Sequence, residues 1–154
     1  MKKIFLFSLT AFLFINSGCH AQYLMHSPQE AYNIQENEKR FINKPLDSLL
    51  AVIKPPIRRA MAKMTSNSPA SGYFTFTFNT PAEWQALQPV FHSKDSSEVK
   101  IVVYLKEPFE WEPKEAGTGL EKLIWTKEDV KKYGHLTVVG IRVLGGKIYK
   151  RPIN

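Results

Sequence analysis

Histidines are candidates for metal binding or proton transfer in this sequence. His26, His92 and His135 stand far apart and show none of the HxH, HExxH or cysteine–histidine spacings by which local metal sites are recognised. His20 lies beside the N-terminal leader described below. The sequence therefore predicts no metal site and no cofactor.

Acidic residues cluster in one stretch, at Glu107, Glu110, Glu112 and Glu115. A glycosidase needs two carboxylates that face each other across a cleft, and His92 or His135 could act as a proton-transfer partner. Four acids in one loop are also typical of a solvated hairpin, and the serines have no G-x-S-x-G context. The sequence assigns no catalytic residue, and an enzyme acting on a cell-wall or glycan substrate is the alternative function.

Aromatic residues near turns are the better candidates for binding. Phe109 and Trp111 lie in the longest irregular stretch, from Pro108 to Gly119, and Trp84 lies in a short helix. Large rigid aromatic rings are enriched in recognition surfaces, and irregular loops held by a sheet often carry function. We expect Phe109, Trp111 and Trp84 to contact a ligand or partner, and the alternative is that the tryptophans cover the ends of the sheet as part of the core.

The N-terminus has the three parts of a secretory signal. Lys2 and Lys3 precede an apolar run from Ile4 to Ile15, and small or polar residues follow at 16–18. The apolar run is shorter than the roughly 20 residues that a spanning helix needs. We expect residues 1–21 to be a signal peptide and residues 22–154 to form a single α+β domain with a short N-terminal tether.

Cys19 is the candidate lipid-attachment residue. Ser17, Gly18 and Cys19 resemble the end of a bacterial lipoprotein box, although Asn16 stands where leucine is usual. The competing interpretation is signal-peptidase cleavage after Ala21. Since Cys19 is the only cysteine, no disulfide can form within the chain. The protein is expected to be exported and to be periplasmic, anchored to the outer membrane by a lipid, or secreted.

The formal net charge of +7 suits contact with anionic headgroups, polysaccharides or an acidic partner. The same charge is also typical of a solvated surface tuned for solubility. Because the chain is expected to leave the cytoplasm, nucleic acid is not an expected partner.

The clearest strand runs from Gly72 to Asn79, where aromatic residues and threonines alternate. This period of two predicts a buried face and a wetter face. The buried face would carry Phe74, Phe76 and Phe78, and the wetter face would carry Thr75 and Thr77.

The remaining pattern predicts a two-layer α+β sandwich. Further strands are predicted at 98–106 and 135–144, an edge strand at 57–64 and a short final strand at 147–150. Leu46, Leu49, Leu50 and Ile53 form a helical stripe that predicts a helix over 45–53. Capping patterns predict helices that begin after Ser27, Thr80 and Thr126. The sheet is expected to have four to five mostly antiparallel strands, with the N-terminal helical segment packed on one face and the other face partly open.

These observations favour an envelope-associated, non-catalytic binding or interaction module. The alternatives are the glycan-acting enzyme and a structural subunit of an envelope complex. The expected partner is an envelope protein or a glycan.

Overall fold

The fold is built around one antiparallel sheet. The computed structural model describes residues 23–65, 70–91, 97–115, 117 and 119–146. The predicted leader, Cys19, His92 and the predicted strand at 147–150 lie outside these ranges. The four strands follow chain order across the sheet and are β1 Arg59–Met64, β2 Gly72–Thr77, β3 Lys100–Leu105 and β4 Val138–Leu144. The α-helices of the described residues are α1 Tyr32–Glu36, α2 Leu46–Leu50, α3 Pro81–Phe91 and α4 Lys127–Tyr133, and 3-10 turns cover Pro28–Glu30, Glu38–Arg40 and Gly119–Leu123.

The inner face of the sheet forms the core. Phe74 and Phe76 are fully buried and Phe78 nearly so, as the alternating pattern predicts. Their neighbours in register include Ala60, Ile101 and Val103. The layer that covers this face supplies Ile34, Leu46, Leu49 and Tyr133 from the helices. The predicted α+β class, with an antiparallel sheet and N-terminal helices packed on it, is confirmed.

The opposite face, here called the outer face, differs from the prediction at two positions. Thr75 and Thr77 were expected to be wet, but both are buried, at 8% and 6% exposure. Both threonines lie on β2, which has a neighbouring strand on each side. Longer side chains on β1 and β3 therefore shield these short side chains from solvent. Strand register places on the outer face Arg59, Met61, Lys63, Tyr73, Thr75, Thr77, Lys100, Val102, Tyr104, Gly140, Arg142 and Leu144.

The edge of the sheet at β4 is covered by the N-terminal segment. The side chains of Glu38 and Gln35 accept hydrogen bonds from the backbone amides of Ile141 and Val143, each at 2.7 Å. Further along, residues 43–47 exchange backbone hydrogen bonds with residues 134–138. These contacts satisfy edge groups that would otherwise be open to another strand.

The edge at β1 is less covered. The predicted edge strand is confirmed, and it pairs with β2 along its whole length. On its other side, the described residues show one isolated bridge, between Arg59 and Ile124, and a hydrogen bond from the Trp125 amide to the Arg58 carbonyl.

Helix α2 is shorter than the predicted 45–53. It ends at Leu50, and the next residues form tight turns in which the amides of Val52 and Ile53 donate to carbonyls three residues earlier. Ile53 is still buried, and it forms an isolated parallel bridge with Met25. The apolar stripe therefore reports burial at Leu46, Leu49 and Ile53 and partial burial at Leu50, although the helix does not extend to its end.

Helix starts agree unevenly with the capping patterns. Thr126 and Asp129 form the predicted capping box, with both reciprocal hydrogen bonds present. Ser27 makes no side-chain cap, and the chain after it forms a 3-10 turn before α1.

Helix α3 continues through position 89, where the prediction ended it, since a proline near a helix end removes only one backbone donor. No helix in the described part of the chain is long and apolar enough to cross a membrane.

Candidate binding site

The acidic loop that follows β3 is fixed at its first residue. The carboxylate of Glu107 accepts hydrogen bonds from the backbone amide and the hydroxyl of Thr137, both at 2.7 Å. Partial burial acts to raise the pKa of Glu107, but the Thr137 hydrogen bonds outweigh it and hold the pKa below its usual range. The loop therefore leaves the sheet in a defined direction with this carboxylate ionised at neutral pH.

Phe109 is half-buried and lies over the inner face. Its ring stacks on Phe74 with 4.7 Å between centroids. Gly72 leaves the room for this contact, because a Cβ there would lie 3.0 Å from the Phe109 ring and 2.9 Å from the Lys63 carbonyl oxygen. A glycine at the start of the strand thus allows the loop to pack back onto it.

Trp111 is half-buried, and its ring contacts three other rings. It lies edge-on to Phe74 at 5.3 Å, tilted against Tyr133 at 5.6 Å, and parallel to Trp125 at 6.1 Å. Aromatic pairs at such separations add to the free energy of burial. Trp111 therefore belongs in part to the core, and its remaining surface lines a groove.

Tyr133 connects the loop to helix α4. Its side chain is buried, and its hydroxyl donates a hydrogen bond of 2.9 Å to the carbonyl of Glu110. The same ring contacts Phe74, Phe109, Trp111 and Trp125. One tyrosine thus holds both the backbone of the loop and its aromatic side chains.

The groove lies between the loop and α4 and has a volume of about 640 Å³. Trp111 and Tyr133 form its aromatic part. Its charged and remaining lining residues are Glu112, Pro113, Lys114, Glu115, Glu128, Asp129 and Lys132. We call this cavity the Trp111 groove.

Two ion pairs cross the Trp111 groove. Lys114 donates to the buried Asp129 carboxylate at 2.6 Å, and Lys132 lies 3.5 Å from Glu112 with both side chains largely exposed. Tyr133 chiefly, and Glu112 in addition, raise the pKa of Lys132, so this lysine stays cationic. With both lysines paired, the exposed Glu115 and Glu128 give the groove an excess of negative charge.

Trp84 lies apart from the groove. The Arg59 guanidinium carbon is 5.6 Å from the centroid of the Trp84 ring, and Arg59 belongs to the outer face. The structure therefore brings Phe109 and Trp111 together around Phe74 on the inner side of the sheet, and it places Trp84 on the other side.

The residues of the alternative enzymatic interpretation do not form one constellation. Glu107 bonds to Thr137 and Glu112 to Lys132, while Glu110, Glu115 and His135 are exposed. His26 is exposed beside Tyr23. Within the described ranges, no group of three histidine, cysteine or acidic side chains could hold a metal ion.

Two structural features, an ion pair and a set of aromatic contacts, could not be predicted from local sequence patterns. Arg59 and Glu98 form a buried ion pair at 2.5 Å, but they are 39 positions apart and no local pattern links them. Tyr133 occupies the last position of a short helix, and its four aromatic contacts depend on long-range packing. Spacing patterns detect neighbours in sequence, so they could not find either feature.

Comparison with known protein families, characterised proteins and solved structures finds no match for this chain.

Proposed function

We propose that the protein is an exported, non-catalytic binding module of the cell envelope, and that the Trp111 groove is part of its contact surface. The observation that carries this proposal is the arrangement of Trp111, whose ring is held by three other rings while it lines a groove of about 640 Å³. A concave surface with a fixed aromatic ring and a few placed charges is typical of ligand sites.

Preorganisation supports binding over a purely connecting role for the loop. Glu107 fixes the start of the loop and the Tyr133 hydroxyl fixes its middle. A loop whose geometry is set before binding loses less conformational entropy on binding. The export signal inferred for residues 1–21 supports a partner in the envelope.

Two sets of variants separate a binding role for the groove from a structural one. Glu112→Gln with Glu115→Gln changes only exposed groove acids, so the free energy of unfolding should change by about 0.5 kcal/mol or less. Trp111→Ala removes a half-buried ring and should cost about 1–3 kcal/mol. Both variants should reduce the recovery of envelope components on immobilised protein.

Tyr23→Ala is the matched control, because Tyr23 is an exposed aromatic residue outside the groove, with 44% of its surface accessible. Its recovery of envelope components should equal that of the unmodified protein. Unchanged recovery with the double glutamine variant and with Trp111→Ala would reject the groove as a contact surface, and Trp111 would then be only a cover for the core.

A further inference from the structure

The outer face of the sheet has a charge pattern unlike that of the rest of the molecule. Lys63, Lys100 and Arg142 stand on three different strands of this face, and none of them forms an ion pair with another described residue. Its fourth cation, Arg59, is already paired with Glu98. The open charges that the strands place on this face are therefore all positive. One carboxylate borders the face at β4: Glu38, which accepts from the Ile141 amide, lies 3.8 Å from the position that a Cβ of Gly140 would take.

Acids are absent from the strands that form this face. The segments Arg59–Met64, Gly72–Thr77, Lys100–Leu105 and Val138–Leu144 contain no aspartate or glutamate. A surface tuned only for solubility mixes both signs of charge. The segregation on this sheet instead creates a positive potential directed to one side.

Two tyrosines lie side by side on the same face. Tyr73 and Tyr104 are partners in register, and their ring centroids are 5.6 Å apart. Gly140 continues the row on β4, and a Cβ there would come within 3.3 Å of the Tyr104 ring. The missing side chain thus lets the Tyr104 ring lie close to the sheet.

The face is accessible. Met61 and Leu144 are 49% and 38% exposed, and Lys63 and Arg142 are exposed as well. Thr75 and Val102 form the floor between these longer side chains, since both are buried. The core helices α1, α2 and α4 lie on the inner side of the sheet. Helix α3 meets the outer face at the corner of Arg59, where the Trp84 ring lies over the guanidinium, and the exposed positions named above lie away from that corner.

We propose that the outer face binds an acidic polysaccharide, with sugar rings on Tyr73 and Tyr104 and carboxylates on Lys63, Lys100 and Arg142. Flat aromatic rings match the apolar faces of sugar rings, and the cations, of which Lys63 and Arg142 are exposed and Lys100 is half-buried, match repeated negative charges. Sheet geometry sets Lys63 and Arg142 about 15 Å apart across the strands, which suits an extended polymer. The proposal does not depend on the Trp111 groove, which lies on the inner side.

A lipid surface fits the face less well. Membrane docking requires a contiguous apolar area that enters the headgroup region. The exposed apolar residues Met61 and Leu144 stand on the two edge strands, about 15 Å apart. Strand register places two threonines, Lys100 and the buried Val102 between them.

The test titrates the full chain with polygalacturonate, a polymer of carboxylated sugars, and with neutral dextran. We expect binding to polygalacturonate only, with an affinity that falls as salt screens the charges. The variant with Lys63→Gln, Lys100→Gln and Arg142→Gln should bind about tenfold more weakly, as expected for the loss of three ion pairs at the surface. Tyr73→Ala and Tyr104→Ala should also weaken binding while its salt dependence remains.

A second triple variant, with Lys44→Gln, Lys54→Gln and Lys127→Gln, is the matched control. These exposed lysines lie in the layer that covers the inner face, and the net charge changes equally. Its affinity should stay within about twofold of the unmodified protein. Equal losses in the two triple variants would overturn the proposal, because net charge alone would then explain binding.

Three other results would also overturn it. The first is no binding to polygalacturonate at low salt. The second is full affinity in both tyrosine variants, because sugar rings would then not contact this face. The third is binding only to phosphatidylglycerol vesicles with loss in the first triple variant, which would assign the face to lipid.

Discussion

The two faces of the sheet are built from the same four strands, yet they are held in different ways. On the inner face, Phe74 contacts five other aromatic rings, and side chains from three helices complete the packing. The outer face carries cations and tyrosines that project away from the sheet, and its one buried ion pair lies at a corner. Alternation along a strand can thus separate the residues that stabilise the fold from those available for contact.

The two faces also differ in how cleanly binding can be separated from stability. The Trp111 groove combines both kinds of environment, because its aromatic residues belong to the inner layer while its acids are exposed. Substitution of the groove's aromatic residues will change stability and binding together, and only its exposed acids allow the two effects to be separated. Substitutions on the outer face offer a cleaner separation of the two effects.

Replacing Phe74 with alanine should have the largest effect on stability. A fully buried phenylalanine that packs against five rings should cost about 3–5 kcal/mol when truncated. Tyr104→Ala, at a half-buried position on the outer face, should cost only about 1 kcal/mol. Urea unfolding measured by fluorescence gives both values, and similar costs at the two positions would contradict the distinction between the faces.

The Arg59–Glu98 pair is the exception to a tolerant outer face. Both side chains are about 5% exposed, and the Arg59 Nε also donates to the carbonyl of Asn79 at 2.9 Å. Arg59→Met would leave the Glu98 carboxylate buried without its partner, at a cost of about 3 kcal/mol.

The double variant of Arg59→Met with Glu98→Leu is the control. Removing both charges leaves no unpaired ion, so the loss should be clearly smaller than with Arg59→Met alone. A double variant as unstable as the sum of the two single variants would mean that the pair is not coupled.

Sequence patterns predicted the architecture because it depends on local signals. Alternation identified β2 and its phenylalanine face, and the Thr126–Asp129 capping box fixed the start of α4. The ends of elements were predicted less well: α2 stops at Leu50 since tight turns compete with the helix, and α3 passes position 89. Such choices depend on tertiary contacts that no short window of sequence contains.

The candidate site was predicted in part. Irregular structure and aromatic composition pointed to Phe109 and Trp111, which do share one region of the fold. The grouping of Trp84 with them has no support in the geometry, because Trp84 lies over Arg59 on the other side of the sheet. The outer face was missed since Lys63, Lys100 and Arg142 are far apart in the chain and become neighbours only through strand register.

Thr77 offers the smallest and most specific test of the outer face. Its hydroxyl oxygen is buried and has no hydrogen-bond partner, and an unsatisfied buried hydroxyl costs free energy. Thr77→Val keeps the branched shape that suits a strand and removes the hydroxyl, so stability should rise by up to about 1 kcal/mol. Thr137→Val is the control with the opposite sign, because the Thr137 hydroxyl bonds to Glu107 at 2.7 Å and its loss should cost about 1 kcal/mol. A lower urea midpoint for Thr77→Val as well as for Thr137→Val would contradict this prediction. It would mean that the Thr77 hydroxyl forms a stabilising hydrogen bond on the outer face.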